Sequence, residues 1–224
     1  MPVPLPSQVS QTAEITFTSL VLDSTTDKAA QARTFTFASD GPGAISAQVV
    51  TTSPTETTKI CISADGATPE CASGGTPGFV RPSTTAHSHW TVTLTSADEG
   101  TPTVDVEFRW PALHPSIKLA GGRFQGSPNP DSLRSLEATF KTRAAGAVSL
   151  DAAWQPVTTT ASTTLSDASG TQPVEVGTAT HQAATSLPAA YTHPVAAARM
   201  YSLTLFNTGT DVGRPDLAAT ITFP

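Results

Sequence analysis

The chain has 224 residues and a formal net charge of −6, and only 13% of its residues are charged. A nucleic-acid binder needs clustered lysine and arginine, and a membrane span needs about 20 consecutive apolar residues; the sequence has neither, so we expect no nucleic-acid and no membrane partner. Threonine fills 38 positions and serine 22, beside 19 prolines and 15 glycines. This composition favours many short strands over helices.

The N-terminal segment 1–12 is proline-rich, and we predict an extended conformation for it. It has neither the basic stretch nor the apolar stretch of a signal peptide. The remaining composition, with four lysines only, is nevertheless typical of an exported protein. Two interpretations stay open: the chain is a piece of a secreted protein, or it leaves the cell by another route, as a virion component does.

Alternation of apolar and polar residues predicts thirteen strands separated by glycine and proline turns. In 104–110, for example, the apolar side chains share one face and the charged ones share the other, as in a strand with one buried face. Residues 25–33 and 183–200 lack a clean apolar stripe, and prolines interrupt the second, so both are interpreted as loops. In chain order the predicted strands are 14–22, 33–38, 44–50, 59–63, 90–94, 104–110, 117–119, 136–141, 147–154, 163–166, 174–177, 200–206 and 217–223.

An internal repeat divides the chain into two halves. The pattern of 36–46, Thr-Phe followed by Gly-Ala-Ile-Ser, recurs in 139–149 as Thr-Phe followed by Gly-Ala-Val-Ser, at an offset of 140 − 37 = 103. The alternating segment 104–111 aligns with 217–224 at an offset of 217 − 104 = 113. The change in offset places insertions in the intervening loops, where they cost little.

The sequence therefore predicts an all-β fold of two tandem antiparallel β-sandwich domains, immunoglobulin-like or jelly-roll-like, related by internal duplication. Residues 13–111 would form the first domain and residues 112–224 the second. The core positions expected from the alternation are Phe37, Ile45, Val106, Phe108, Trp110, Phe140, Val148, Ile221 and Phe223.

The second half carries Leu165-Ser-Asp-Ala-Ser-Gly170 and then Tyr201-Ser-Leu-Thr-Leu205, after its alternating strands. This pattern resembles the bacterial pre-peptidase C-terminal domain, a jelly-roll-like accessory module of secreted hydrolases. The first half departs from that family by its cysteine pair. The resemblance implies an adhesive or targeting role and brings no catalytic residues with it.

Cys61 and Cys71 flank the turn signal Asp65-Gly66 and should lie at the two ends of a hairpin or long loop. We predict that they form a disulfide, which would indicate an oxidising compartment. Two free thiols are the alternative. A metal site is disfavoured because the spacing is not that of a Cys-x-x-Cys pair and no second ligand pair lies nearby.

Two other pairs are candidate metal ligands. His87 and His89 precede Trp90, and in an extended segment both imidazoles would project from one face toward a third ligand. Asp98 and Glu99 occupy an expected hairpin tip, as a solvated turn or as a weak calcium site. No third ligand is identifiable for the histidine pair, and the solvated turn is favoured for the acidic pair, so no metal and no cofactor are predicted.

No catalytic constellation is evident in the sequence. A Gly-x-Ser-x-Gly nucleophile elbow is missing, and 121–126 is not in the strand-to-helix context of a phosphate-binding loop, so we predict that the chain is not an enzyme. His114 and His193 each neighbour a proline and are expected in loops. Trp154 ends the predicted strand 147–154; it belongs to the core if the strand continues that far, and if exposed it would stack on a sugar ring.

We therefore expect a non-catalytic extracellular module pair that acts as a structural, adhesion or substrate-targeting part of a larger secreted protein. Its partner would be a protein or a polysaccharide surface. The alternative is a virion or filament component, such as a capsid decoration or tail protein, which would form a symmetric homo-oligomer. The low charge, hydroxyl-rich surface and repeat favour the first interpretation, and the missing signal peptide favours the second.

Overall fold

The computed structural model describes residues 11–28, 30–52, 56–83, 88–124, 135–155, 160–182, 189–209 and 216–224. These ranges contain sixteen strands and no helix, and hence no helix that would cross a membrane. The segment 1–12, predicted as extended, lies outside the described residues up to position 10. The strands are β1 Gln11–Val21, β2 Arg33–Ser39, β3 Gly43–Thr52, β4 Thr58–Ala64, β5 Glu70–Gly74, β6 Gly78–Ser83, β7 Ser88–Ser96, β8 Thr103–Ala112, β9 Ser116–Arg123, β10 Ser135–Lys141, β11 Gly146–Gln155, β12 Ala161–Asp167, β13 Val174–His181, β14 Ala189–Val195, β15 Met200–Asn207 and β16 Asp216–Thr222.

The all-β prediction is confirmed, and each predicted strand overlaps an observed one. Three strands, β5, β6 and β14, were not predicted, so the interpretation of 183–200 as a loop is wrong where β14 lies. All three are edge strands. An edge strand tolerates proline because half of its N–H groups face away from the sheet. Pro82 in β6 and Pro194 in β14 therefore obscured the strand pattern without preventing the strand.

The strands form two antiparallel eight-stranded sheets that pack face to face, as in the predicted β-sandwich. Sheet A has the order β13-β12-β15-β10-β1-β8-β3-β6, and sheet B has the order β14-β11-β16-β9-β2-β7-β4-β5. Alternate residues face the interior: in β7, for example, Trp90 and Val92 are buried, whereas His89 and Thr91 lie on the outer face.

The two halves of the chain, β1–β8 and β9–β16, have the same topology. The first half contributes β1-β8-β3-β6 to sheet A and β2-β7-β4-β5 to sheet B, which is the strand order of a jelly roll. Adding eight to each strand number gives the second half, with β9-β16-β11-β14 in sheet B and β10-β15-β12-β13 in sheet A. An internal repeat would produce this order; the duplication itself stays a prediction.

Both sheets continue from one half into the other. In sheet A, β1 pairs with β10 and Ile15 lies opposite Phe140; in sheet B, β9 pairs with β2 and Ile117 lies opposite Phe37. These are the same contact made twice, in the same register, as a two-fold relation between the halves requires. The segments predicted as separate domains, 13–111 and 112–224, thus share two continuous sheets.

A single hydrophobic core runs between the sheets, and all nine predicted core residues are buried. Aromatic rings link its two halves. The ring centroids of Phe37 and Trp110 are 5.0 Å apart, those of Trp110 and Phe223 are 6.3 Å apart, and those of Phe223 and Phe140 are 4.8 Å apart. This chain of contacts makes the interior continuous from β2 to β10.

A buried ion cluster ties the halves together at one end of the junction. Asp23, after β1, receives salt bridges of 3.0 Å from Arg33 in β2 and from Arg123 in β9, and Arg123 also pairs with Asp216 in β16. Burial alone would raise the pKa of Asp23, but hydrogen bonds from Arg33 and Arg123 outweigh it and lower the pKa to about 2. The carboxylate is therefore ionised in the folded protein.

Arg143, in the turn between β10 and β11, contacts both ends of the described chain. Its guanidinium donates to the carbonyls of Gln11, at 2.6 Å, and Ala112, at 2.8 Å. Its backbone amide donates to the carbonyl of Pro224, at 3.0 Å. One residue of the second half thus fixes the start of β1, the end of β8 and the C-terminus.

Candidate functional site

The predicted disulfide between Cys61 and Cys71 is present and joins two directly opposite residues of β4 and β5. Their Cα atoms are 4.0 Å apart, on the outer face of sheet B at its edge. In the second half, Thr164 in β12 lies opposite Thr178 in β13 at the equivalent place. The disulfide therefore strengthens an edge hairpin that the other half forms without one, and it fits an oxidising compartment.

Asp98 belongs to a turn, as one of the two interpretations expected. Its carboxylate accepts hydrogen bonds from the hydroxyl of Thr57, at 2.8 Å, and from the amide of Gly100, at 2.9 Å. The bond from the Thr57 hydroxyl, followed by those from the backbone amides of Gly100 and Thr57, lowers the pKa of Asp98 below its usual value. The carbonyl of Glu99 accepts from the hydroxyl of Ser24. Asp98 is thus engaged in holding the β7–β8 turn.

Of the two histidines predicted as a candidate metal-binding pair, only one lies among the described residues. His87 lies outside the described residues, and His89 is exposed on the outer face of β7. The backbone amide of His89 donates to the carboxylate of Asp65, at 2.8 Å, which fixes the strand to the β4–β5 turn. Among the described residues no three histidine, cysteine or acidic side chains converge as metal ligands. His193, expected in a loop, lies in β14 instead.

Trp154 lies in the core, since β11 continues to Gln155 and the ring is only 1% exposed. Its centroid is 5.5 Å from that of Phe124. A ring at this depth is not available for stacking on a sugar, which corrects the ligand-binding alternative for Trp154. Trp90 and Trp110 are buried as well, at 7% and 0% exposure.

A groove of about 440 Å³ lies on the outer face of sheet B, across β9, β2 and β7. In one row of the sheet Lys118 of β9 lies opposite Thr36 of β2, and Thr36 lies opposite Thr91 of β7. The loop between β8 and β9 closes one end of the groove and contributes His114, which confirms the predicted loop position of this residue. The side chains that give the groove its polar character are Thr36, Thr91, Ser116, His89, His114 and Lys118.

Small side chains line this groove at two positions whose equivalents in the other half of the repeat are large. Ala38 in β2 corresponds to Lys141 in β10, at the offset of 103. Ser116, next to Ile117, corresponds to Glu14, next to Ile15, because each isoleucine lies opposite the equivalent phenylalanine of the neighbouring strand. A lysine and a glutamate at the β1–β10 junction thus correspond to a methyl group and a hydroxyl at the β2–β9 junction.

The groove contains one acidic side chain, and that side chain is already engaged. The carboxylate of Asp40 accepts a hydrogen bond of 2.7 Å from the amide of Leu113. Burial lowers the pKa of Arg143, and the charge of Asp40 opposes this effect, so the two side chains interact electrostatically. Lys118 is exposed and has no ion-pair partner among the described residues. Among the described residues, the groove therefore presents an ammonium group without an ion-pair partner beside hydroxyl and imidazole groups.

Among the side chains that line this groove, sequence reasoning proposed only His89 as a candidate ligand, and it did so as one of a metal-binding pair with His87. Lys118 and Thr36 are 118 − 36 = 82 positions apart and meet only because β9 of one half pairs with β2 of the other. No local pattern reports such a pairing. The repeat was the available signal, because it marks Ala38 and Ser116 as small where the other half is large.

Comparison with known proteins adds no relative. No protein-family model matches the chain, and no curated protein matches its sequence significantly. The resemblance to pre-peptidase C-terminal domains accordingly stays a proposal that rests on the sequence pattern alone.

Proposed function

We propose that this chain is a non-catalytic binding module that holds a secreted protein against a polysaccharide or protein surface. The groove on sheet B is the observation that carries the proposal. It is concave, lies on the outer face of a sheet, and presents hydroxyl, imidazole and ammonium groups to the solvent. Side chains on paired strands hold such groups in fixed positions, which lowers the entropic cost of binding.

Two further features support a role outside the cell. The Cys61–Cys71 disulfide fits an oxidising compartment. The chain has few charged residues and many threonines and serines. Its hydrophobic core spans both halves. These properties suit a module that keeps its shape while it is attached to a larger secreted protein.

A sedimentation assay tests this function. The protein is mixed with insoluble polysaccharides, both neutral and acidic, and with insoluble protein matrices, and the fraction removed from solution is measured. We expect retention on at least one matrix and a monomer of 23.1 kDa in light scattering. Retention on none of the matrices, or measurable turnover of glycosides, esters or peptides, would contradict the proposal.

The alternative function, a virion or filament component, is favoured by the jelly-roll order of both halves, because capsid proteins use this architecture. It predicts a closed symmetric oligomer in light scattering. Growth by edge pairing is disfavoured at β6 and β14, because Pro82 and Pro194 occupy these two of the four edge strands. A trimer or hexamer in solution would favour this alternative over the binding module.

A further inference from the structure

The chemistry of the groove narrows the class of ligand. We propose that it binds a carboxylate-bearing sugar, such as the uronate unit of an acidic polysaccharide, with Lys118 contacting the carboxylate. His89 and His114 offer ring nitrogens, and Thr36 and Thr91 offer hydroxyls, to the hydroxyl groups of the sugar. This inference rests on the proposed binding function and specifies its ligand.

Lys118 is the reason to expect an anion. Its ammonium group has no carboxylate within ion-pair distance in the described part of the chain, and the carboxylate of Asp40 accepts a hydrogen bond from the amide of Leu113. A ligand carboxylate would therefore supply the missing partner without displacing an existing one. Hydrogen bonds to charged groups are stronger than those between neutral groups, so this contact would dominate the affinity.

The remaining lining indicates a sugar that is bound edge-on by hydrogen bonds and is not stacked. The rings of Phe37 and Trp90 border the groove but are 4% and 7% exposed, so neither offers a face to a ligand. Hydroxyl and imidazole groups, by contrast, both donate and accept hydrogen bonds, as sugar hydroxyls do. The volume of about 440 Å³ lies within the range of small-molecule sites.

The test compares two soluble probes with the same sugar backbone: trigalacturonate, which carries carboxylates, and its fully methyl-esterified form, which is neutral. Binding is measured by calorimetry and by chemical-shift changes of the backbone amides. We expect the acid to bind at least about tenfold more tightly than the ester, the difference typical of one charge-assisted hydrogen bond. The shifted amides should belong to β2, β7 and β9.

Three variants locate the site. Lys118→Ala should weaken trigalacturonate about tenfold and leave the ester unaffected. The double variant Ala38→Lys with Ser116→Glu places the side chains of Lys141 and Glu14 in the groove, fills it, and should abolish binding of both probes. Lys59→Ala is the matched control, because Lys59 is an exposed lysine on the same face of sheet B, outside the groove. The unfolding midpoint of each variant verifies that it folds.

The outcomes separate this inference from the proposed function. Equal affinity for acid and ester, or equal effects of Lys118→Ala and Lys59→Ala, would overturn the assignment of an acidic sugar. If neither probe binds while an insoluble matrix retains the protein, the inference fails and the binding function stands. If the acid binds in the groove and no insoluble matrix retains the protein, the inference stands and attachment to a surface fails.

Discussion

Trp110 and Phe223 meet edge to face in the middle of the molecule, with ring centroids 6.3 Å apart and an interplanar angle of 86°. The two residues occupy equivalent positions of the repeat, at an offset of 223 − 110 = 113. Each also packs against the equivalent phenylalanine of its own half, Phe37 or Phe140. The contact thus couples the two halves through residues that both halves need for their own cores.

Truncation of this contact should destabilise the whole protein at once. We expect Trp110→Ala to lower the free energy of unfolding by about 3–5 kcal/mol, as for other buried large-to-small substitutions. Unfolding in urea should remain a single transition that coincides in circular dichroism and in the fluorescence of Trp90 and Trp154, which lie in the first and the second half. Two separate transitions would show that the halves are independent.

The conservative control is Trp110→Phe. The indole nitrogen of Trp110 is buried and has no hydrogen-bond partner among the described residues, so the substitution loses no hydrogen bond. Phe223 shows that the equivalent position accommodates a phenylalanine. The loss of stability should be clearly smaller than for Trp110→Ala.

Replacement of the two cysteines by the residues that occupy the equivalent positions of the second half should preserve the fold. The variant Cys61→Thr with Cys71→Thr copies the facing pair Thr164 and Thr178. We expect unchanged circular dichroism and a loss of about 2–3 kcal/mol, the chain-entropy value for a loop of this length. Mass spectrometry of the unreduced wild-type protein should show no alkylated cysteine; alkylation of both thiols would contradict the disulfide.

Asp23 should make stability depend on pH in the acidic range. Its pKa is about 2 in the folded protein, below the ordinary value of 3.8, so its ionised form stabilises the fold above pH 3.8 and this contribution is lost as the pH falls toward 2. Asp23→Asn should cost about 3–5 kcal/mol at neutral pH, because it leaves buried Arg33 unpaired. Measured against pH, the wild-type and variant stabilities should converge in acid; parallel curves would disprove the role of Asp23.

Gly177 should not tolerate a side chain. A β-carbon at this position would collide with the ring of His193 and the hydroxyl of Tyr191 on the facing strand. Gly177→Ala should therefore lower the free energy of unfolding by about 1–3 kcal/mol, as overpacking does. Gly170→Ala is the control, since its β-carbon would be 3.6 Å from the nearest atom, the carbonyl oxygen of Gln172, and it should be nearly neutral in thermal denaturation.

The strands with a buried inner face were predictable from the sequence, because one face of each must be apolar. In β2, Phe35 and Phe37 alternate with Thr34 and Thr36, and the structure buries the phenylalanines. Three of the four edge strands, β5, β6 and β14, were not predictable in this way. β5 packs little against the core and carries exposed or half-exposed residues throughout, so its sequence shows no alternation.

The pairing of strands between the two halves could not be predicted from local sequence patterns either. Separate domains would have left β1 and β2 as edges of the first half, and nothing local in Ile15 or Phe37 indicates that another strand lies beside them. The candidate site depends on this continuity, since Lys118 reaches the groove only through the pairing of β9 with β2. Local alternation reports which face of a strand is buried, but not which strand is its neighbour.

The bonds of Arg143 determine how the sandwich would carry a mechanical load. Gln11 and Pro224 are both attached to this residue, so polypeptide joined at either end departs from the same corner of the molecule. Tension applied through two such extensions would pass across Arg143 and would not stretch the eight-stranded sheets along their width.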